Sequence, residues 1–386
     1  MRWNLRKIKE VALIRPPKKL AKSRVGSDDL VSVVPMECLG IDKKFFGSEK
    51  EGVLENVYSK YVYFEDDDVV IAKITPCFEN GKIGVASGLK NGIGFGSSEF
   101  VPFRCNDDLC PAFLYHFMDR DSFRNEGSRL MTGAVGHKRI PKDFYEEFSI
   151  PIPPLEEQER IVEVLDEAFV AIDKAKANIE RNLTNARELF QSRLNDIFSN
   201  PSEDWEVVNL KAVLDMYQPK TISRKEMVED GKFPVFGANG QIGWYNEFNH
   251  ENPEVLLTCR GATCGFLNWS LPNSWINGNA MVMRPKDSSQ LSQEFLFKAL
   301  EGGVDTTKAI TGSAQPQITR KSLNPLCIPI PPLDEQEQMV RELDSLKEKR
   351  KDLEVRYQAA FDNLEELRQS ILEQAFEGKH TEPVAA

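Results

Sequence analysis

The sequence predicts an α+β fold. Two similar α+β modules are joined by two long helices that pair as an antiparallel coiled coil, giving approximate two-fold symmetry. Three observations carry this expectation. The run IPIPPLEEQERIVEVLD (Ile150–Asp166) returns as IPIPPLDEQEQMVRELD (Ile328–Asp344), identical at 12 of 17 positions with an offset of 178 residues. A repeat at that spacing marks a duplicated unit far larger than a solenoid repeat. Each copy then opens a long, highly charged stretch with heptad periodicity. The segments ahead of the two copies share short anchors in the same order.

Taken in order, residues 1–149 form the first module, 150–199 a Pro-rich hinge and long helix, 200–327 the second module, 328–378 the second hinge and helix, and 379–386 a tail. In the first helix, Val162, Phe169, Leu183, Phe190 and Ile197 share one heptad position, broken by Lys176. Leu165, Ile172, Ile179 and Ala186 share the other, ending in Arg193. In the second helix Leu343, Tyr357, Leu364 and Ile371 align, broken by Arg350, beside Met339, Leu346, Leu353, Ala360 and Leu367. Pro154 and Pro332 suit a first helical turn. Glu156, Glu157, Asp334 and Glu335 complement the positive end of the helix dipole. About 45 residues would extend roughly 65 Å at 1.5 Å per residue. Antiparallel pairing of the two helices would place a module at each end.

The modules share anchors beyond the hinge. Trp3 and Trp205 open similar amphipathic starts. DVVIAKITPC (Asp68–Cys77) parallels EVLLTCRGAT (Glu254–Thr263), and SSEFVPFR (Ser97–Arg104) parallels NGNAMVMR (Asn277–Arg284). AFLYHFMD (Ala112–Asp119) parallels EFLFKALE (Glu294–Glu301) as a helix, and TGAVGHKRI (Thr132–Ile140) parallels TGSAQPQIT (Thr311–Thr319). β-Branched, aromatic and turn-rich composition argues for curved sheets. One scaffold with different loops is the pattern of two binding specificities.

Charge and composition narrow the function. The net charge is −11. Residues 1–149 hold 23 basic and 22 acidic residues, and 200–327 hold 12 and 14, so the modules are near neutral. The acidity sits on the helices, and the modules are free to present basic faces. No run approaches 18 apolar residues, and the start lacks a signal-peptide core, so no membrane partner is expected. The seven cysteines are odd in number and scattered, as free thiols in a reducing cytoplasm would be. His116, His137, His250 and His380 are isolated. GIGFGSS (Gly92–Ser98) lacks the context of a dinucleotide site, no P-loop exists, and Asn324-Pro325-Leu326 lacks the second proline and aromatic of an amino-methyltransferase motif. No catalytic or metal constellation is present.

The residues suited to nucleic-acid contact are basic and amide side chains in loops. Arg15, Lys18, Lys19, Lys22 and Arg24 form a dense cluster at the run Arg15-Pro16-Pro17 and suit phosphates. Lys220, Arg224 and Lys225 fill the corresponding stretch of the second module. Arg260 sits at a predicted strand end. His137, Lys138 and Arg139 lie in a loop matching Gln315, Gln317 and Arg320. Arg pairs bidentately with guanine and Gln with adenine.

The order of module, IPIPPLEEQE helix, module, IPIPPLDEQE helix resembles the specificity subunit of Type I restriction–modification enzymes across residues 1–378. The resemblance implies two target-recognition domains, each reading one half of a bipartite site in double-stranded DNA. It implies helices that dock two methyltransferase (modification) subunits, with restriction/translocase subunits joining the complex. The chain itself would be non-catalytic and carry no cofactor, with S-adenosylmethionine, ATP and Mg on the partner subunits. The alternatives are a specificity subunit of a related system with a fused methyltransferase–nuclease partner, and a coiled-coil scaffold whose modules bind protein.

Overall fold

The computed structural model describes residues 3–237, 239–312 and 315–377; the expected tail, with His380, lies outside them. The chain divides into two compact units, Met1–Asn178 with Ala359–Ala386, and Ile179–Gln358. Each holds one module and a part of each long helix, Leu155–Ser199 and Leu333–Phe376.

In the first unit the IPI segment of the repeat is strand Ser149–Ile152, paired antiparallel with Asn4–Lys7. The main sheet runs Ala12–Ile14, Phe100–Cys105, Val69–Ala72, Ile83–Ala86, Phe45–Phe46. Its centre, Val69–Ala72, is buried at every residue, which is why it reads as an unbroken apolar run instead of an alternation. A second sheet runs Glu51–Val53, Leu30–Val34, Ile93–Gly96, Val62–Glu65.

The second unit rebuilds this frame. Cys327–Ile330 pairs with Glu206–Asn209, and the main sheet runs Leu214–Tyr217, Ala280–Pro285, Val255–Thr258, Leu267–Trp269. Within the described residues the paralleled anchors land on equivalent elements, including the helices Pro111–Met118 and Gln293–Lys298. The frames part in the second sheet. Here it has three strands, Gly240–Tyr245, Phe233–Gly237 and Trp275–Ile276.

The repeated motif has a physical reason beyond its prolines. Gln158 is fully buried. Its amide nitrogen donates to the carbonyls of Asp108 (2.8 Å) and Pro153 (2.9 Å), and its oxygen accepts from the Cys110 N–H at 2.9 Å. Gln336, 178 residues on, donates to Gln290 (2.7 Å) and Pro331 (2.8 Å) and accepts from Ser292 at 3.0 Å. Cys110 and Ser292 are the caps of the equivalent short helices. One glutamine thus ties the Pro-Pro turn, the loop and the helix start together, and its own buried amide is satisfied by them.

In each unit the parts of the long helices run antiparallel. In the first, the Arg368 guanidinium lies 3.9 Å over the Phe169 ring, and Lys176 pairs with Glu365. In the second, Arg187 pairs with Glu354 (3.0 Å), Arg350 lies 4.8 Å over Phe190, and Arg193 pairs with Glu342 (2.8 Å). Of the charged residues that break the heptads, Lys176 and Arg193 therefore form ion pairs across the seam and Arg350 meets an aromatic face there. The apolar positions do more than face one another. Leu165, Phe169, Leu372 and Phe376 enter the core of the first module, and Phe190, Leu194, Phe198 and Leu343 that of the second. Among the described residues no helix is long and apolar enough to cross a membrane.

Candidate nucleic-acid interface

At the end of each central strand the chain builds the same small frame. In the first unit the Lys73 N–H donates to the Glu99 carbonyl (2.9 Å), Ile140 to Lys73 (3.0 Å) and Thr75 to Lys138 (3.0 Å). In the second, Cys259 donates to Asn279 (3.2 Å), Ile318 to Cys259 (2.9 Å) and Gly261 to Pro316 (3.2 Å). Each frame carries a hairpin whose ends pair antiparallel, Thr132 with Arg139 or Thr311 with Gln317; residues 313 and 314 lie outside the described residues. Gly133 (φ 127°) and Gly312 (φ 83°) turn the chain at the same point, in backbone space that favours glycine.

The side chains on this common frame differ. In the first unit Arg139 donates through Nε (3.0 Å) and Nη2 (2.9 Å) to the two Glu99 oxygens, and through Nη1 to the His137 carbonyl at 3.1 Å. Lys73 Nζ lies 3.8 Å from Glu99. The hydrogen bond from Arg139, with Lys73 beside it, holds Glu99 below the usual carboxylate range. Burial, and then the neighbouring Arg15, holds Lys73 below the ordinary lysine range. Arg15 itself is in left-handed backbone (φ 56°), its N–H bonded to the Pro102 carbonyl at 2.8 Å. So Arg15, Lys73, Glu99 and Arg139 converge, with exposed His137 and Lys138 on the adjoining hairpin. In the second unit the equivalent positions are Cys259, Asn279 and Gln317. Arg260 and Gln315 are exposed beside them, and Arg260 forms a backbone bridge with Gln317.

The other expected residues fall elsewhere. The early basic cluster is not a loop: Lys19–Arg24 is a helical turn. Lys18 donates to the Tyr58 carbonyl (3.0 Å), Lys22 lies 4.2 Å over the Tyr58 ring, and Arg24 pairs with Glu65 at 2.8 Å. The apolar Leu20 and buried Ala21 set that face against the module, so the cations spread around a helix. Lys220, Arg224 and Lys225 are exposed on a segment without helix, so the two clusters are not structural equivalents. Arg320 does not belong to the hairpin. It opens the short helix Arg320–Leu323, whose capping box is made by Thr319 and Ser322, and lines a groove of about 520 Å³ with Lys211 and Lys286.

Sequence reasoning missed Lys73, Glu99 and Asn279 as site residues. Each stands inside a segment recognised only as a strand anchor, and the pairing of those anchors with the hairpins is tertiary. Of the histidines, His116 and His250 are buried, and burial holds both imidazoles below the ordinary range. His116 bonds Asp166 at 3.0 Å and His250 bonds Tyr217 at 2.9 Å. Among the described residues no cluster of three His, Cys, Asp or Glu could hold a metal ion.

Comparison with known proteins agrees with this duplicated frame. The family model for the Type I restriction modification DNA specificity domain matches twice, at residues 2–184 and 202–359. The Type I restriction enzyme EcoAI specificity subunit of Escherichia coli is 39% identical over 164 residues, 42% of this chain and 27% of that protein. The EcoEI specificity subunit of Escherichia coli is 32% identical over 196 residues, 50% of this chain and 32% of that protein. The chain thus spans about a third or less of the length of these relatives. A chain from a structure concerned with complex assembly and conformational transition of the type I R-M system superposes with a TM-score of 0.81, covering 98% of both chains at 22% identity, a likeness of fold. With a match over both modules, the chain belongs to the Type I restriction modification DNA specificity domain family.

Proposed function

We propose that this chain is the DNA-reading subunit of a Type I restriction–modification enzyme. Each unit reads one half-site of a bipartite target in double-stranded DNA. The long helices dock two methyltransferase subunits and, through the complex, restriction/translocase subunits. S-adenosylmethionine, ATP and Mg belong to those partners, and the chain does no chemistry itself. The observation that supports this reading is one backbone frame built twice, carrying different exposed polar side chains at its open end. That is how one fold would read two sequences.

The experiment is single-molecule methylome sequencing of a host expressing the chain with its partner subunits. A bipartite methylated motif is expected, two specified half-sites separated by unspecified bases. Absence of any motif, or a continuous one, would overturn the reading. The paired helices would also set the spacing. Deleting one heptad from each, Ile179–Asn185 and Tyr357–Asn363, keeps the seam in phase and shortens the helix by roughly 10 Å. That is about three base pairs at 3.4 Å each. The half-sites should persist with a shorter spacer, and methylation retained only at the original spacer would contradict a spacing set by the helices.

A further inference from the structure

The two frames share the same backbone hydrogen bonds, at Lys73/Cys259, Glu99/Asn279, Lys138/Pro316 and Ile140/Ile318, so their side chains can be compared as chemistry at one place. The residue closing the hairpin is Arg139 or Gln317. The residue entering the neighbouring strand is Glu99 or Asn279. The residue leaving the central strand is Lys73 or Cys259. The first unit puts a charged trio there and the second a neutral one.

Resting on the reading of the chain as a DNA-specificity subunit, we propose that these positions are base-reading positions: Arg139, oriented by Glu99, reads guanine in the first unit's half-site, and Gln317 with Asn279 reads adenine in the second's.

The donor count on Arg139 supports the first half. A guanidinium has five N–H donors in a fixed plane. Glu99 takes Nε–H and one hydrogen of Nη2, and the His137 carbonyl takes one of Nη1. Two hydrogens remain, one on each Nη. A pair of N–H donors is what the O6 and N7 acceptors of guanine require in the major groove. The side chain is 46% exposed, so these donors are accessible. Its carboxylate partner fixes the plane that a base edge requires. Glu99 is therefore a positioning residue. The second half follows from the same place on the frame. Gln317 and Asn279 are exposed, and neither carboxamide has a hydrogen-bond partner among the described residues. An amide offers one donor and one acceptor side by side, the complement of adenine N6 and N7. With Cys259 fully buried, no cation stands at the position of Lys73 to favour a phosphate.

The test uses the full chain assembled with its partner subunits, selecting from duplex DNA with randomised half-sites. The wild-type motif should hold a guanine in one half and an adenine in the other. In Glu99→Asn/Arg139→Gln, that guanine should become adenine with the other half unchanged. In Asn279→Glu/Gln317→Arg, the adenine should become guanine. Glu99→Gln alone should lower discrimination for guanine roughly 5- to 150-fold, the worth of one bidentate contact, without shifting the melting temperature. It keeps the assignment testable if a double variant fails to fold. Unchanged half-sites in these variants would overturn the proposal. So would an affinity loss uniform over all sequences with a flatter salt dependence, which is the mark of a phosphate contact. If the wild-type complex selects no bipartite motif, the functional reading itself fails, which is a different result from a motif the variants leave intact.

Discussion

The two units hold equivalent positions of the long helices by different chemistry. Buried His116, on the short helix of the first unit, bonds Asp166; buried Lys298, at the equivalent place in the second, pairs with Asp344 at 2.6 Å. The aspartates are 178 residues apart, within the repeated motif. Phe376 is set among Phe113 (4.9 Å) and Phe117 (5.4 Å), while its counterpart Phe198 meets Phe295 at 5.7 Å and lies over Gly303. In the first unit Glu373 accepts from the N–H and hydroxyl of Ser122 at a helix start, both at 2.9 Å. In the second, a Cβ added to Gly302 would fall 2.3 Å from Leu194. The backbone frame, the buried glutamines, the aspartates and the pairs Phe198/Phe376 and Leu194/Leu372 are kept. What differs is the group each module sets against them: His116 or Lys298 on the aspartate, two rings or one ring and a glycine on the phenylalanine.

The largest expected effect lies in the aromatic pair. Phe376→Ala and Phe198→Ala should each cost about 3–5 kcal/mol, as large-to-small changes in packed cores do. Urea unfolding measures it. A small loss for Phe376 alone would mean that the first module does not depend on the second helix.

Gln158→Ala and Gln336→Ala come next. Each removes one partner from two carbonyls and one N–H, at about 1–3 kcal/mol, the range for a polar group left uncompensated. The two losses should match, because the two clamps match. A difference above about 1 kcal/mol between them, outside the usual spread for one group, would show that the clamps are not equivalent. Gly303→Ala should cost about 1–3 kcal/mol through overpacking, since the new Cβ would fall 2.5 Å from the Phe198 ring.

The smallest effect appears only in acid. Burial holds His116 below its unfolded value of about 6.5, and the hydrogen bond to Asp166 offsets this only in part. The folded imidazole refuses a proton that the unfolded chain accepts. Its contribution is therefore present above pH 6.5 and lost as pH falls through that value. His116→Gln should reduce the loss of stability between pH 7.5 and 5.5. The comparison must be made against wild type, because buried His250 acts in the same direction in the second unit. An identical pH slope in the variant would show that His116 is not the sensor.

The sequence shows some of this plainly. The repeat, the heptads and the anchor strands are legible because each has a period or an exact recurrence. The charged breaks in the heptads, Lys176, Arg193 and Arg350, read as exceptions, and only the partner helix explains them. The helical turn at Lys19–Arg24 is too short for periodicity to reveal, so a Pro-Pro start and basic composition read as loop. The DNA-facing candidates were partly legible: Arg139 and Gln317 stand in matched hairpins. Glu99 and Asn279 did not stand out, because their significance comes from a hairpin that arrives some 40 residues later in each module.

A single substitution tests most directly whether one shared frame carries two specificities. Arg260 is exposed at the end of the second unit's central strand, beside Gln317. Methylome sequencing of a host carrying Arg260→Ala with the partner subunits should show relaxation at one half-site only, worth about 1–3 kcal/mol where a base edge is touched. The other half-site should be unchanged. Equal relaxation of both halves would contradict independent reading by the two units.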